Sequence, residues 1–174
     1  MTKTVFRGFK FDTRTVEMIK WAEAQAGFKF RITQGSYSDG VAASAGTHDG
    51  GGAADISVRL MLPAKRTKML NALKDAGFAA WYRTKSDGFT SNHIHAIAIG
   101  CTDLAPLAKS QVLDYDKRRD GLKGHNFDVS YRPVPRVKFS EKLNKPVARD
   151  IVSLAAKPAV PAKKTTVKKP SAKK

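Results

Sequence analysis

The stretch SNHIHAIAIG, residues 91–100, decides the prediction of the fold. It is typical of a buried β-strand, and it carries His93 and His95 in its first half. Alternate residues of a strand lie on the same face. The two imidazoles therefore share a face, about 6–7 Å apart at a rise of ~3.3 Å per residue. Because an unpaired buried polar group is costly, both rings need hydrogen-bond partners or a metal ion.

A loop and a second strand supply candidate partners for these histidines. Residues 35–52, GSYSDGVAASAGTHDGGG, are rich in glycine and serine and contain His48, and AADISV (53–58) follows with Asp55. The glycines beside His48 allow the backbone to bend tightly. Two histidines and one carboxylate are a standard ligand set for catalytic zinc, which lowers the pKa of water at its open position. The spacing alone leaves a second interpretation open, in which the histidines pair with carbonyl groups of the core.

The other patterns predict a small α+β domain, with helices packed on an antiparallel or mixed sheet. Asp12 or Thr13 can cap a helix that runs to about Ala26, where Gly27 ends it. Strand patterns occur at FKFRIT (28–33), AADISV (53–58), FAAWYR (78–83) and HIHAIAIG (93–100). A second helix is predicted from Pro63 to Gly77 and a last one over residues 104–117. Trp81 and Tyr82 could form an aromatic wall for a ligand or belong to the core.

The chain divides in composition near residue 138. Residues 1–138 are predicted to form the domain, and 139–174 a tail rich in proline, alanine and lysine. Residues 151–174 contain seven lysines and no acidic residue, so they contribute +7 of the net charge of +17. Such a segment buries too little apolar surface to fold alone and is predicted to be disordered. A solubilising extension and an anchor on a polyanion are both open interpretations of the tail.

The charge and the single cysteine limit the function classes. A net charge of +17 predicts attraction to nucleic acid, an anionic membrane or an anionic cell-wall polymer. The lysines of the tail have no interleaved aromatic residues or arginines, which disfavours specific recognition of nucleic acid. Cys101 is interpreted as a small apolar residue at the edge of the core, and one cysteine excludes an intramolecular disulfide. The N-terminal residues lack the apolar run of a secretory signal, and no stretch has the length of a membrane helix.

Residues 31–57 together with AGFAAWYR and HIHAIAIG resemble the zinc peptidases that cut D-alanine-containing peptidoglycan. These are the D-alanyl-D-alanine carboxypeptidases and the penicillin-insensitive murein endopeptidases. The hedgehog signalling domain, which is similar to them in fold, has the same His-x6-Asp and His-x-His motifs. The resemblance covers about residues 10–100, and its two motifs are specific only when taken together and in order.

The resemblance implies a role for each matching residue. His48, Asp55 and His95 would hold one Zn²⁺ ion, and His93 would be the neighbouring catalytic imidazole. Gln34 lies where relatives place a polar or basic side chain that binds substrate.

This sequence departs from the family pattern at Asn92. Many relatives have an acidic residue there, three positions before the last histidine, as the general base. An asparagine cannot accept a proton, so the base is expected to be His93 or Asp87.

The resemblance favours a monomeric bacteriophage endolysin that hydrolyses peptide bonds in peptidoglycan. An enzyme without a signal peptide would stay in the host cytoplasm until a holin pore releases it to the wall, where the basic tail could bind anionic polymers. The alternative is a non-catalytic zinc-binding module that recognises a cell-wall or protein partner. His125, in the polar loop LKGHNFD, is interpreted as a surface residue.

Overall fold

The structure is a computed structural model, and it describes residues 1–133, 138–140 and 145–147. The elements in chain order are β1 (Lys3–Phe6), β2 (Phe9–Asp12), α1 (Thr13–Ala26), β3 (Ile32–Gln34), β4 (Ala53–Ser57), α2 (Pro63–Asp75), β5 (Phe78–Arg83), β6 (His93–Ala98), α3 (Pro106–Asp116), β7 (Lys138–Ser140) and β8 (Lys145–Val147). The predicted α+β class is confirmed. All strand pairs in the described part of the chain are antiparallel.

The main sheet has four strands in the order β3-β4-β6-β5. β6 therefore lies inside the sheet, with β4 on one side and β5 on the other, and all six of its residues are buried. Alanine and isoleucine supply much of the apolar packing on these strands, including Ala54, Ile56, Ile94 and Ala96, which are fully buried. The histidine strand is thus the best-covered strand of the sheet.

The first two helices follow the sequence prediction closely. Asp12 caps α1 by accepting a hydrogen bond from the Thr15 backbone N–H at 2.8 Å. Gly27 ends the helix in the left-handed conformation, at φ 75°. Pro63 begins α2, where its missing N–H costs nothing. The apolar faces of both helices contribute to the core, through Val16, Ile19, Ala22, Ala26, Leu70 and Leu73.

Two features of the first 34 residues differ from the prediction. β1 and β2 form a hairpin that the sequence patterns did not reveal, joined by Arg7 and Gly8, both at positive φ. The strand predicted over FKFRIT begins only at Ile32. The backbone N–H of Phe30 donates to the carboxylate of Glu23 at 2.7 Å, so a side chain takes the place of a neighbouring strand.

The predicted boundary between residues 138 and 139 falls inside β7. β7 pairs with β8, and both strands lie beside α1. Residues 148–174, which include the lysine-rich stretch, lie outside the described residues. No helix in the described part of the chain is long and apolar enough to cross a membrane.

Candidate metal centre

One face of the main sheet presents the polar side chains of the candidate site. In the antiparallel register Asp55 of β4 lies opposite His95 of β6, and His95 lies opposite Trp81 of β5. The next pair along β6 places His93 opposite Arg83. Directly opposed residues of an antiparallel pair point to the same face. Asp55 and His95 thus lie side by side on neighbouring strands of the main sheet.

His48 reaches this face from the glycine-rich loop. Its side chain is buried, and its Nδ1 lies 2.8 Å from the Gly35 carbonyl oxygen. The loop is tied back by the Ser38 N–H, which donates to the His48 carbonyl at 2.9 Å. Gly50 passes so close to the next segment that a Cβ there would lie 2.2 Å from the Asp103 carbonyl oxygen. Close backbone approach therefore requires a glycine at position 50, two residues after His48.

His48, Asp55 and His95 converge into a group that could hold a metal ion. Nδ1 of His95 lies 2.7 Å from Oδ1 of Asp55, and Nε2 of His48 lies 3.3 Å from the same oxygen. The three potential ligand atoms lie within 4.8 Å of one another. His93 is outside this group, with its Nε2 3.8 Å from the other carboxylate oxygen of Asp55.

The hydrogen bonds around His95 fix which ring nitrogen carries the proton. Its Nε2 lies 3.0 Å from Oε1 of Gln111, and the amide nitrogen of Gln111 donates to the Gly121 carbonyl at 3.0 Å. The carbonyl of Gly121 sets the orientation of the amide, so Oε1 must accept from the imidazole. Burial lowers the pKa of His95, an effect that Asp55 only partly offsets, and this favours the neutral ring. Nδ1 then presents a lone pair to Asp55.

The hydrogen bonds of His48 likewise show which of its ring nitrogens carries the proton. Nδ1 of His48 donates to the Gly35 carbonyl, so Nε2 presents a lone pair to Asp55. Two imidazole lone pairs and a carboxylate thus point at one another with no proton between them. Such a donor set could hold a metal ion.

His93 makes contacts that suit a proton carrier. Its Nδ1 lies 2.9 Å from the Ser91 carbonyl oxygen, and Phe89 packs edge-on against the ring at 5.1 Å between centroids. The N–H of the neutral ring therefore points to Ser91, and Nε2, on the side of Asp55, can accept a proton.

The group lies in a cavity of about 650 Å³ that is open to solvent on one side. α3 and the loop that follows it form the opposite wall. The polar lining outside the candidate ligands consists of Gln34, Arg83, Ser110, Gln111, Asp114 and His125, among others. The volume is sufficient for several residues of a peptide.

Gln34, Asp87 and Asn92, the other residues singled out from the sequence, lie in different environments. Gln34 lines the cavity, and its buried amide nitrogen has no hydrogen-bond partner among the described residues. Asp87 is not part of the cavity lining, and its carboxylate accepts from the backbone N–H and hydroxyl of Thr84 in a tight turn. Asn92 is likewise engaged, donating to the Tyr82 hydroxyl at 2.9 Å. Of the two candidate bases, only His93 lies beside the metal-binding group.

Neither Trp81 nor Tyr82 forms a wall of the cavity. Trp81 is buried and stacks on His95 with 6.2 Å between ring centroids, while its indole N–H donates to the Arg119 carbonyl. Tyr82 alternates to the other face, where the guanidinium of Arg66 covers its ring. The aromatic residue of the cavity lining is Phe89.

Two features of the opposite wall were not predicted. Gln111 contacts His95, and no sequence pattern distinguishes it from other polar residues of α3. His125 is exposed as expected, with 55% of its side chain accessible, but it also lines the cavity. Its Nδ1 lies 2.7 Å from Oδ2 of Asp114, and this contact depends on how the chain folds back after α3.

Comparisons with models of known protein families, with curated proteins and with solved structures found no match to this chain. The site is accordingly interpreted from its own residues and their geometry.

Proposed function

We propose that this chain is a zinc-dependent peptidase that hydrolyses peptide bonds of bacterial peptidoglycan, as a lysis enzyme of a bacteriophage. One observation carries the proposal: two imidazole lone pairs and the carboxylate of Asp55 converge on the floor of an open cavity, next to a further histidine. A site built only for stability would not need an accessible cavity or the spare imidazole of His93.

The donor set favours zinc over other biological cations. Calcium and magnesium prefer shells made of oxygen ligands, whereas two histidines and one carboxylate are a recurrent ligand set of catalytic zinc. His48, Asp55 and His95 would hold the ion, and Gln111 would fix the ring of His95. When bound, zinc would polarise a peptide carbonyl and lower the pKa of water.

The neighbouring residues have matching tasks in this proposal. Nε2 of His93 accepts a proton from the attacking water and returns it to the leaving amine. The amide nitrogen of Gln34, which has no partner in the described part of the chain, can donate to a carbonyl oxygen of the peptide. Both side chains line the same cavity as the metal-binding group.

Peptidoglycan as substrate rests on the resemblance described above and on charge. A chain with a net charge of +17 is attracted to anionic wall polymers, and attraction of this kind raises the local concentration of enzyme at the wall. Release through a holin and a monomeric state belong to the same proposal.

Mass spectrometry of peptidoglycan fragments tests the proposed reaction. The purified chain is incubated with zinc and defined muropeptides, and new amino and carboxyl termini identify the bond that is cut. His95→Ala serves as the matched control, since it removes one candidate ligand. Binding of muropeptides without any new terminus would refute the peptidase and favour a non-catalytic zinc module.

A further inference from the structure

Arg83 is a buried cation at the edge of the candidate metal centre. It is the last residue of β5, it lies opposite His93 in the sheet register, and only 2% of it is exposed. It nevertheless contributes to the lining of the cavity. The guanidinium therefore lies between the core and the space where a ligand would bind.

The charge of Arg83 is not balanced by a close acidic partner. Within the described residues no carboxylate oxygen lies within 4.0 Å of the guanidinium, and Nη2 is buried without a hydrogen-bond partner. Its contacts are the ring faces of Trp81, at 4.9 Å, and Phe89, at 5.9 Å. Burial lowers the pKa of Arg83 to about 10, so the group keeps its proton at neutral pH.

An arrangement of this kind is costly unless a ligand completes it. Removing a charged group from water without pairing it is strongly unfavourable, whereas a paired and hydrogen-bonded charge is tolerated. The charges of Asp120, Asp87, Asp128 and Asp55 act on Arg83 from beyond 4.0 Å, and the oxygens of Asp55 are engaged by His48 and His95. The described part of the protein thus supplies no direct partner for the guanidinium.

We propose that Arg83 is a substrate-binding residue that pairs with a carboxylate of the peptide substrate, close to the reacting bond. This inference rests on the proposed function, because it assigns the ligand to the same cavity. The planar guanidinium matches a carboxylate with two parallel N–H···O bonds. The buried guanidinium contacts the rings of Trp81 and Phe89, so the cation is held in place before a ligand binds.

Two carboxylates of a peptidoglycan stem peptide could supply this partner: the C-terminal carboxylate and the α-carboxylate of the D-glutamyl residue. The test compares four peptides: L-Ala-γ-D-Glu-L-Lys-D-Ala-D-Ala, its C-terminal amide, its D-glutamyl α-amide and the double amide. Dissociation constants are measured by calorimetry with the full zinc-supplemented chain. Wherever mass spectrometry shows turnover of a peptide, the ratio of kcat/KM values replaces the ratio of dissociation constants.

We expect one of the two single amides, and the double amide, to bind about 10–100-fold more weakly than the parent peptide. Arg83→Met should bind the parent peptide as weakly as wild type binds that amide, and should no longer distinguish the two. Arg83→Lys keeps the charge but loses the two parallel N–H donors of the guanidinium, so it should retain only part of the preference for the carboxylate over the amide. Arg31→Met removes an exposed arginine outside the cavity lining and should keep the full preference.

Several outcomes would overturn the assignment. The assignment fails if wild type binds all four peptides equally, or if it binds none of them. Full preference for the carboxylate in a folded Arg83→Met protein would overturn it as well. If Arg83→Met fails to fold, Arg83→Lys and the wild-type ratio decide. A preference for the carboxylate without hydrolysis would support the binding site and refute the peptidase.

Discussion

His93 and His95 lie on the same face of β6, but their rings have different partners. Both nitrogens of His95 are engaged, by Asp55 and by Gln111, while Nε2 of His93 lies 3.8 Å from Asp55 and outside the metal-binding group. A separation of two residues along a strand was enough to predict the shared face. The difference in role follows only from the partners that other elements bring.

The two histidines should therefore respond differently to substitution. We expect His95→Ala to lose most of its bound zinc, because one of three protein ligands is gone. His93→Ala should keep its zinc and lose about 10²–10⁴-fold in turnover, which is typical for a missing general acid–base group. Metal analysis and muropeptide turnover on the same preparations measure both effects. Equal zinc loss in the two variants would make His93 a ligand.

Gln111 provides a second test at the level of single residues. Gln111→Leu removes the acceptor that holds the Nε2 proton of His95 and orients the ring. Loss of such an outer partner typically weakens metal binding about 10–100-fold, without removing a ligand. A zinc competition titration measures the change, with Lys109→Ala on the exposed face of α3 as the control. Unchanged zinc affinity in Gln111→Leu would leave the amide with a packing role alone.

The loop between β3 and β4 positions His48, and Gly50 is its most constrained point. Gly50→Ala places a methyl group 2.2 Å from the backbone oxygen of Asp103, which cannot move aside as a side chain could. We expect a loss of about 1–3 kcal/mol in the free energy of unfolding, together with weaker zinc binding as His48 is displaced. Denaturant unfolding with and without zinc measures both effects.

Gly124→Ala, in the loop after α3, is the matched control for Gly50→Ala. The added methyl group there would meet only the side chain of Asn126, which is exposed and can rotate away. A similar loss of stability in both variants would show that the close approach at Gly50 is not what fixes the loop.

The elements that the sequence predicts well are those with a strong local signal. FAAWYR matches β5 residue for residue, and α1 has both its cap at Asp12 and its stop at Gly27. The hairpin β1–β2 escaped prediction because four-residue strands and an Arg-Gly turn give little periodicity. Within the site, the three candidate ligands were named from the resemblance to zinc peptidases, because spacing alone left a second interpretation open. Gln111 and Arg83 acquire their positions only through tertiary contacts between α3, β5 and β6.

Glu23 connects three parts of the whole molecule and makes its stability depend on pH. Its buried carboxylate pairs with Arg7 in the hairpin turn and accepts from the Phe30 N–H ahead of β3. Burial alone would raise the pKa of Glu23, but these hydrogen bonds lower it below its ordinary value of 4.5. The stabilisation is thus fully present above about pH 4.5 and is lost as the pH falls through the lower value of the folded state.

Glu23→Gln should remove this part of the pH dependence. We expect the variant to be less stable than wild type at pH 7, with the difference shrinking as the pH falls below the ordinary value of 4.5. Urea unfolding across this pH range measures the effect. Glu17→Gln, which removes an ion pair with the exposed Lys20, is the control and should change stability little at either pH. A pH-independent difference for Glu23→Gln would contradict the assignment.

The distribution of charge along the chain predicts that the domain carries the hydrolytic activity and that residues 151–174 contribute to binding of the cell wall. Deleting residues 151–174 removes seven lysines, which lowers the net charge from +17 to +10. We expect unchanged hydrolysis of soluble peptides and weaker binding to whole cell walls at low salt, because salt screens attraction between exposed charges. Sedimentation with purified walls at two salt concentrations measures the binding. Loss of activity on soluble peptides would make this segment part of the fold.

The interior position of β6 predicts how zinc binding should affect hydrogen exchange of the backbone amides around the candidate metal site. Its backbone amides are bonded to β4 on one side and β5 on the other, so none can exchange its hydrogen without breaking a ladder of the main sheet. Zinc that binds only the folded chain should then slow amide exchange across β4, β5 and β6 together, by the factor with which it stabilises the whole protein. The β1–β2 hairpin, paired outside this sheet, should show a smaller change.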